Sequence, residues 1–155
     1  MKKNIFYLVL SLTLLLPLGF SCEKNPENGD LDGQWQLMEL RAKTDLSKPD
    51  YDSIVNKKDE RIYWSFQLNL LMIRYIGVPG MNDFIARFDY GHDKLNIAPT
   101  YVHYRERDSL LEDSSTRILE PVGISGNGEK FQIKKLNSKS MILSNSVKQL
   151  SFRKF

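Results

Sequence analysis

The chain has 155 residues, of which 41% are hydrophobic, 26% charged and 11% aromatic, with one cysteine and a formal net charge of +3. This length supports one ordinary domain, which excludes a multidomain enzyme. The apolar and aromatic content also excludes intrinsic disorder, because core-forming side chains are plentiful. A single folded domain is therefore expected.

The N-terminus has the pattern of a secretory signal. Lys2 and Lys3 precede an apolar run at positions 5–20, which is interrupted by Pro17. A positive start, a short apolar run and a small residue before Cys22 are typical of an export signal rather than of a membrane span of about 20 residues, although an N-terminal anchor helix is the alternative. The segment around Cys22 resembles a lipobox, whose cysteine becomes the lipidated first residue of a bacterial lipoprotein.

These features divide the chain into a signal peptide at 1–21, a flexible tether at 22–30 and a domain at 31–155. The resemblance implies a lipid anchor on Cys22 and a place in the cell envelope, at the outer membrane on its periplasmic or surface face. Lipidation would use the single thiol, which excludes disulfides and cysteine nucleophiles in the domain. Without residues 1–21 the chain has 20 basic and 19 acidic residues, a net charge of +1, which gives no argument for nucleic acid binding.

The domain begins with a short first strand around Trp35, and the next strand is the clearest in the chain. Apolar residues alternate with polar ones over 62–70, as expected of a strand with one buried face. The apolar members are Ile62, Trp64, Phe66, Leu68 and Leu70. The alternation then changes phase, which predicts a bulge or a stretch covered on both faces near Leu71. A turn at 77–80 follows.

The next segment predicts a hairpin. Phe84, Ala86, Phe88 and Tyr90 alternate with three charged residues and Ile85, and a new strand begins at Lys94. Gly91, His92 and Asp93 form the predicted turn between the two strands.

Three short strands are predicted at the C-terminus, at 130–136, 141–144 and 149–155. Their inward pairs are Phe131 with Ile133, Met141 with Leu143, and Leu150 with Phe152. Polar segments at 137–140 and 145–146 supply the turns. Residues 42–60 and 105–121 are expected to be loops, the second holding a short helix near 114–120 that ends at Pro121. The fold class is therefore all-β, with seven or eight antiparallel strands in a small barrel or sandwich.

Gly33-x-Trp35 in the first strand resembles the opening strand of lipocalins. Together with the apolar spacing of the last three strands and the lipobox, it is similar to a family of small lipocalin-like lipoproteins of unknown function from Gram-negative gut anaerobes. The resemblance implies a small antiparallel lipocalin-like β-barrel that is closed at one end by Trp35. In lipocalins an arginine lies across this tryptophan, and Arg153 is the corresponding candidate here; the alternative is a core Trp35 and a solvated Arg153.

No motif for catalysis or metal binding is present. A metal site would need His92, His103 and carboxylates such as Asp89 or Asp93. There is no glycine-rich phosphate loop or nucleophile elbow, and residues 123–128 are typical of an ordinary turn. We therefore expect no metal, no cofactor and no enzymatic activity, although a pair of carboxylates converging across the barrel stays open.

The barrel interior decides between the functional hypotheses. An eight-stranded barrel is wide enough either to be filled by its own side chains or to admit one small ligand. The large inward residues favour filling, but they would line a cavity in an open barrel. Trp64, Phe66, Phe88, Tyr90 and Tyr101 are the candidates for lining it. The protein would then carry a small apolar or amphipathic ligand; with a filled barrel it would bind an envelope protein or a glycan. A hydrolase is the third hypothesis.

The sequence also indicates a basic surface and two sites of modification. Basic residues predominate after Ser125 and would form a basic face toward anionic headgroups or an acidic polysaccharide, or else simply occupy outward strand positions. They are Lys130, Lys134, Lys135, Lys139, Lys148, Arg153 and Lys154. Asp-Ser-aliphatic patterns at Ser53 and Ser109 resemble O-glycosylation sites of exported proteins in the same bacterial groups, and both are expected in loops.

Overall fold

The structure, a computed structural model, describes residues 26–155. Cys22, the predicted signal peptide and the start of the tether lie outside the described residues. The strands are β1 (Gly33–Ala42), β2 (Ser53–Asn56), β3 (Ile62–Gln67), β4 (Leu70–Tyr75), β5 (Asp83–Gly91), β6 (Lys94–His103), β7 (Asp108–Leu110), β8 (Glu129–Leu136), β9 (Ser140–Ser144) and β10 (Lys148–Lys154). Short 3₁₀ helices occupy Gly29–Leu31, Lys58–Glu60 and Asp113–Val122.

Eight of these strands form a closed antiparallel barrel. The hydrogen-bonded order is β10-β9-β8-β6-β5-β4-β3-β1, and β10 pairs with β1 to close it. The first half of β1 pairs with β3 and its second half with β2. In the same way β6 pairs first with β8 and then with β7. At one end of the barrel, therefore, β1 separates from β3 and β6 separates from β8. There β2 pairs with the end of β1, and β7 pairs with the end of β6.

The two ends of the barrel differ in their connections. At the entry end, where the chain enters β1, the 3₁₀ helix Gly29–Leu31 packs beneath the strands with Leu31 fully buried. Asn28 there donates to the Leu68 carbonyl at 2.6 Å. The folded part therefore begins before the predicted domain boundary at 31. The opposite end, here called the cap end, carries the long connections, including the 3₁₀ helix Asp113–Val122.

The sequence alternation produces the core in most strands. The inward pairs predicted for the last three strands are all buried, as are Phe84, Ala86 and Phe88 of β5. Because successive strand side chains point to opposite faces, the polar residues between them point outward. Burial of this continuous apolar interior is the main stabilising contribution to the fold.

The segment 62–70 is not one strand, and the predicted bulge near Leu71 is wrong. The chain reverses at Leu68-Asn69, and Gln67 pairs with Leu70 across a two-residue turn. Leu68 adopts a positive φ of 55° and is 60% exposed, and Leu70 is also exposed. The phase change in the sequence therefore marks a hairpin turn, and neither leucine belongs to the core.

Both predicted loops contain structure. Residues 42–60 include β2 and the 3₁₀ helix Lys58–Glu60, and residues 105–121 include β7. The predicted short helix near 114–120 is present as the 3₁₀ helix Asp113–Val122, with Pro121 inside its last turn. β2 and β7 are only four and three residues long, so neither has the alternation that identifies a strand.

The β5–β6 turn gives a test of the backbone conformation. His92 and Asp93 both have positive φ, 47° and 59°, which is the conformation of a type I′ turn that favours Asn-Gly. The double change His92→Asn with Asp93→Gly should raise the free energy of unfolding by about 1 kcal/mol, because left-handed backbone costs other residues about 1–2 kcal/mol each. Urea unfolding measures this. The single change Asp89→Gly, in the neighbouring strand, should lower stability instead; a gain there or a loss in the turn variant would contradict the assignment.

Candidate binding surfaces

Aromatic side chains fill the barrel interior. Trp64 contacts Phe66, Phe131 and Phe152, with ring centroids 6.2, 6.3 and 5.1 Å apart. Phe66 and Phe88 meet edge to face at 5.1 Å. Such contacts add about 0.5–1.5 kcal/mol per pair to the burial of the rings. Trp64, Phe66 and Phe88, three candidates for lining a cavity, instead pack against one another or their neighbours.

Tyr90 and Tyr101 do not line the interior. Each is 40% exposed. Tyr101 follows the buried Thr100 in β6, so its side chain points to the outer face. Tyr90 lies next to the β5–β6 turn, beyond the buried part of β5. The expectation that these two tyrosines face a ligand inside the barrel is wrong.

A segment at residues 113–124, here called the cap, closes the cap end. Its apolar residues Leu119, Val122 and Ile124 are fully buried. The indole N–H of Trp64 donates to the Val122 carbonyl at 3.0 Å. Gly123 ends the helix with a φ of 97°, and a Cβ there would lie 3.0 Å from the Leu150 side chain. The cap is therefore fitted into the barrel opening, and it forms part of the core.

A polar cluster around the buried Lys148, here called the latch, joins the cap to the barrel. Glu129 accepts hydrogen bonds from Lys148 at 2.9 Å, from Asn145 at 2.7 Å and from the backbone N–H of Ser125 at 2.9 Å. The ammonium group of Lys148 also donates to the Ser125 hydroxyl and lies 5.9 Å from the centre of the Phe131 ring. Ser125 directly follows the cap, so these bonds fix the point at which the chain leaves it.

The latch brings a serine and a lysine into contact, and the hydrolase hypothesis would require such a pair to act as nucleophile and base. A serine is activated by a lysine only when that lysine is neutral and can accept a proton. Burial lowers the pKa of Lys148, and the adjacent Glu129 carboxylate opposes this change. The ammonium donates to both Glu129 and Ser125, so it acts here as a hydrogen-bond donor rather than as a base.

Removing one charged partner of the latch should destabilise the fold more than removing both. Lys148→Met should lower the free energy of unfolding by about 3 kcal/mol, because it leaves the Glu129 charge buried and uncompensated. The double change Lys148→Met with Glu129→Gln should be closer to the wild type, since it leaves no unpaired charge. Arg74→Gln, which breaks the more exposed ion pair with Asp83, is the control and should cost less than about 1 kcal/mol. Urea denaturation measures all three; a double variant as unstable as the single one would contradict the argument.

At the entry end, Lys154 rather than Arg153 covers Trp35. The Lys154 ammonium lies 5.0 Å from the centre of the Trp35 ring and donates to the Asp30 carbonyl at 2.8 Å. Trp35 pairs with Lys154 in the β1–β10 register, whereas Arg153 pairs with Gln36 and donates to its side chain at 2.8 Å. Arg153 therefore lies on the outer face, because strand neighbours alternate.

Two further contacts define this closure. The indole N–H of Trp35 donates to the Leu31 carbonyl at 2.8 Å, and the ring is fully buried. Gly33 has a φ of 115°, and a Cβ at this position would lie 3.1 Å from Cε of Lys154. The glycine thus permits both a strained backbone angle and the close passage of the lysine stem.

A double-mutant cycle separates the two cations. Trp35→Leu and Lys154→Met should be coupled by about 0.5–1 kcal/mol, the size of a partly exposed cation–π interaction. Trp35→Leu and Arg153→Met should show coupling near zero. Chemical denaturation of the single and double variants gives both values. Equal coupling in the two cycles would contradict the assignment to Lys154.

The outer surface carries an apolar groove at the bulge between β5 and β6. Its volume is about 510 Å³. It is lined by Leu70, Ile85, Ala86, Arg87, Ala98, Pro99, Tyr101 and Asp108. Apolar side chains dominate, with one cation and one carboxylate among them. We call this the outer groove.

The outer groove belongs to a wider apolar row. Met72 pairs with Ile85, Ile85 with Tyr101, and Tyr101 with Leu110, so one outward row crosses β4 to β7. Leu110 is 53% exposed. Arg74 with Asp83 and His103 with Asp108 form ion pairs or hydrogen bonds beside this row. A contiguous apolar surface with a polar border is typical of an interaction site.

A second groove, here called the lysine groove, lies over β6, β8 and β9 and has a volume of about 770 Å³. Its lining is polar and basic. The residues are Tyr51, Lys94, Asn96, Lys130, Phe131, Gln132, Lys134, Ser144, Asn145 and Ser146. The predicted basic face is therefore only partly correct, because Lys148 is buried in the latch and Lys154 covers Trp35. Lys94, which lies before the predicted basic segment, joins the face through strand pairing.

The remaining sequence candidates are dispersed. Ser53 lies in β2 and Ser109 in β7, so neither is in a loop as expected, and both are partly exposed. His92 forms the β5–β6 turn, whereas His103 is at the end of β6 and contacts Asp108 at 2.7 Å. Among residues 26–155 no group of three or more His, Cys, Asp and Glu side chains is placed to hold a metal ion. No helix in this range has the length and apolar character needed to cross a bilayer.

The architecture defines the class of protein: a closed eight-stranded antiparallel barrel, sealed at its entry end by a buried tryptophan, as in lipocalins. Residues 13–155 match the model of the lipocalin-like domain family, and the chain belongs to that family. No curated protein sequence matches it significantly.

Two solved structures share the fold. One is a lipocalin-like protein from Bacteroides uniformis, with 18% identity and a TM-score of 0.58 over 82% of this chain and 100% of the other. The other is an uncharacterized protein from Bacteroides eggerthii, with 18% identity and a TM-score of 0.58 over 81% of this chain and 99% of the other. At this identity the similarity extends to the fold alone.

Proposed function

We propose that the protein is a lipid-anchored binding module of the bacterial cell envelope that binds a small amphipathic ligand in the outer groove, with the filled barrel as a rigid scaffold. The observation that carries this proposal is the packing of Trp64, Phe66 and Phe88 inside the barrel. A ligand the size of these side chains could enter the interior only by displacing them. The binding function is therefore assigned to the outside.

The outer groove has the size and composition of a small-molecule site. Such sites measure about 300–1,000 Å³ and combine an apolar lining with a few polar groups that orient the ligand. Leu70, Ile85 and Tyr101 supply the apolar part, and Arg87 and Asp108 lie among them. Arg87 donates to the Asn69 side chain at 3.0 Å, which holds its guanidinium at the rim. This combination suits a ligand with an apolar body and a polar or charged head.

Anchoring is supported by the sequence around Cys22 and has its own test. Wild-type protein expressed in a Gram-negative bacterium that processes lipoproteins should fractionate with the membranes and incorporate labelled fatty acid. Cys22→Ala should abolish the labelling and release the protein from the membrane fraction. If Cys22→Ala remains in the membranes to the same extent as wild type, a lipid on this residue is not the anchor.

Photo-crosslinking tests the groove. A diazirine-bearing fatty acid added to envelopes that contain the full chain should label peptides around Leu70, Ile85 and Tyr101, and mass spectrometry locates the label. Tyr101→Asp should reduce labelling about tenfold, since it places a carboxylate in an apolar contact worth roughly 1.5 kcal/mol or more. Ile54→Asp is the matched control, because Ile54 is 61% exposed on β2 and outside the groove; it should leave labelling unchanged.

The distribution of the label distinguishes the hypotheses. Fragment-ion sequencing assigns the label to single residues, which is needed because Trp64, Phe66 and Leu70 lie between Arg61 and Arg74 in the chain. Label on the side chains of Trp64, Phe66 or Phe88 would show that the interior opens to the ligand and would overturn the outer-groove assignment. Equal reduction by Tyr101→Asp and Ile54→Asp would also contradict it. Circular dichroism confirms that both variants remain folded.

A further inference from the structure

We infer that the lysine groove is a second binding site, specific for an acidic oligosaccharide. Its lining shares no residue with that of the outer groove, although both grooves reach β6, and the inference does not depend on the ligand proposed for the outer groove. The residues that carry the argument are Lys94, Lys130 and Lys134, together with the amide and hydroxyl side chains between them and the ring of Tyr51.

Strand pairing places the three lysines on one outward surface. Lys94 pairs with Gln132, the residue midway between Lys130 and Lys134 along β8. Lys130 and Lys134 are about 13 Å apart along the strand at 3.3 Å per residue. All three lysines are exposed, and none forms an ion pair with another described residue. The groove therefore presents three uncompensated cations to a ligand that could span it.

The groove contains no carboxylate of its own. The lining has no Asp or Glu, and nearby Glu129 is fully engaged in the latch with Lys148, Asn145 and Ser125. Three positive charges in a concave surface raise the local concentration of anions. The ligand is therefore anionic.

The other lining groups indicate a sugar. Asn96, Gln132 and Ser146 supply amide and hydroxyl groups that are at least partly exposed, and such groups donate and accept hydrogen bonds as the hydroxyl groups of a sugar do. Tyr51 supplies an aromatic face at one side, and the Lys43 ammonium lies 5.7 Å from the centre of this ring. Cations, hydrogen-bonding amides and an aromatic ring together match a carboxylated or sulfated sugar chain.

The shape argues against an anionic membrane as the partner. A bilayer presents an extended surface, which is best matched by basic residues on a protruding face. Here the lysines line a concavity of about 770 Å³ together with uncharged polar groups. An open depression that combines cations with hydrogen-bonding side chains favours a short acidic polymer over an extended surface, so the oligosaccharide is the better match.

Titration with defined sugars tests the inference. Full-length chain in non-ionic detergent is titrated by calorimetry with oligogalacturonate, with a heparin tetrasaccharide and with a neutral galacto-oligosaccharide of equal length. At least one acidic sugar should bind, the neutral one should not, and binding should weaken as salt is raised because exposed charges are screened. Failure of both acidic sugars to bind, or equal binding of the neutral one, would overturn the proposal.

Matched variants locate the site. Lys94→Gln and Lys130→Gln should each weaken binding about fivefold, the upper range for one exposed charge pair. Lys58→Gln, with the same charge change outside the groove, should have no effect. Asp89 is exposed and pairs with Asn96 at the edge of the groove, so Asp89→Asn should strengthen binding. This last variant gives a gain that a loss of folding cannot imitate.

A headgroup probe separates the sugar from a membrane. Glycerophosphoglycerol, the polar part of phosphatidylglycerol, is titrated under the same conditions. Lysine-dependent binding of this compound without binding of either acidic sugar would replace the oligosaccharide by a lipid surface. Equal effects of Lys58→Gln and Lys130→Gln would show that the attraction is a general charge effect and would also overturn the proposal.

Discussion

The structure depends on the need to fill the interior of an eight-stranded barrel. The interior of such a barrel is just wide enough to be filled by the inward side chains of its own strands. Here the large ones are Trp64, Phe66, Phe88, Phe131 and Phe152. Trp64 has an indole N–H that must be satisfied when buried, and its acceptor is the Val122 carbonyl of the cap. The cap is thus held inside the barrel opening both by its apolar side chains and by the hydrogen bond of the central tryptophan.

The same requirement explains the polar groups at the cap end. The barrel opens between β1 and β3 and between β6 and β8, so the chain that leaves the cap must cross an opening lined by backbone groups. Asn127 donates to the Leu111 carbonyl at 2.9 Å and accepts from the Thr100 N–H at 2.8 Å. The latch around Glu129 holds the neighbouring segment. Because both sets of bonds tie the cap to strands, opening the interior would require their loss together with exposure of the cap's apolar residues.

The sequence predicted most of the barrel but less of its surfaces. Strands with a clear two-residue period, such as β5 and β8, were identifiable because one face of each is buried along most of its length. The β3–β4 hairpin was missed because Leu68 continues the apolar alternation while adopting a left-handed turn conformation. Lys154 rather than Arg153 covers Trp35 because the observed β1–β10 register differs by one residue from the one expected. A shift of one residue moves every side chain of a strand to the opposite face. Both grooves combine residues from distant strands, so no local pattern could reveal them; Lys94 and Gln132 are neighbours only through pairing.

The proposed anchor would orient these surfaces. Asn28 is fixed to the entry end by its bonds to Asp32 and the Leu68 carbonyl, and it follows Cys22 by six positions. Six residues span at most about 20 Å when fully extended, so a lipid on Cys22 would keep the entry end close to the bilayer. The cap end, with β2 and β7 and their serines Ser53 and Ser109, would then point away from the membrane. Both grooves lie on the sides of the barrel, where solutes approaching from the aqueous phase could reach them without displacing lipid.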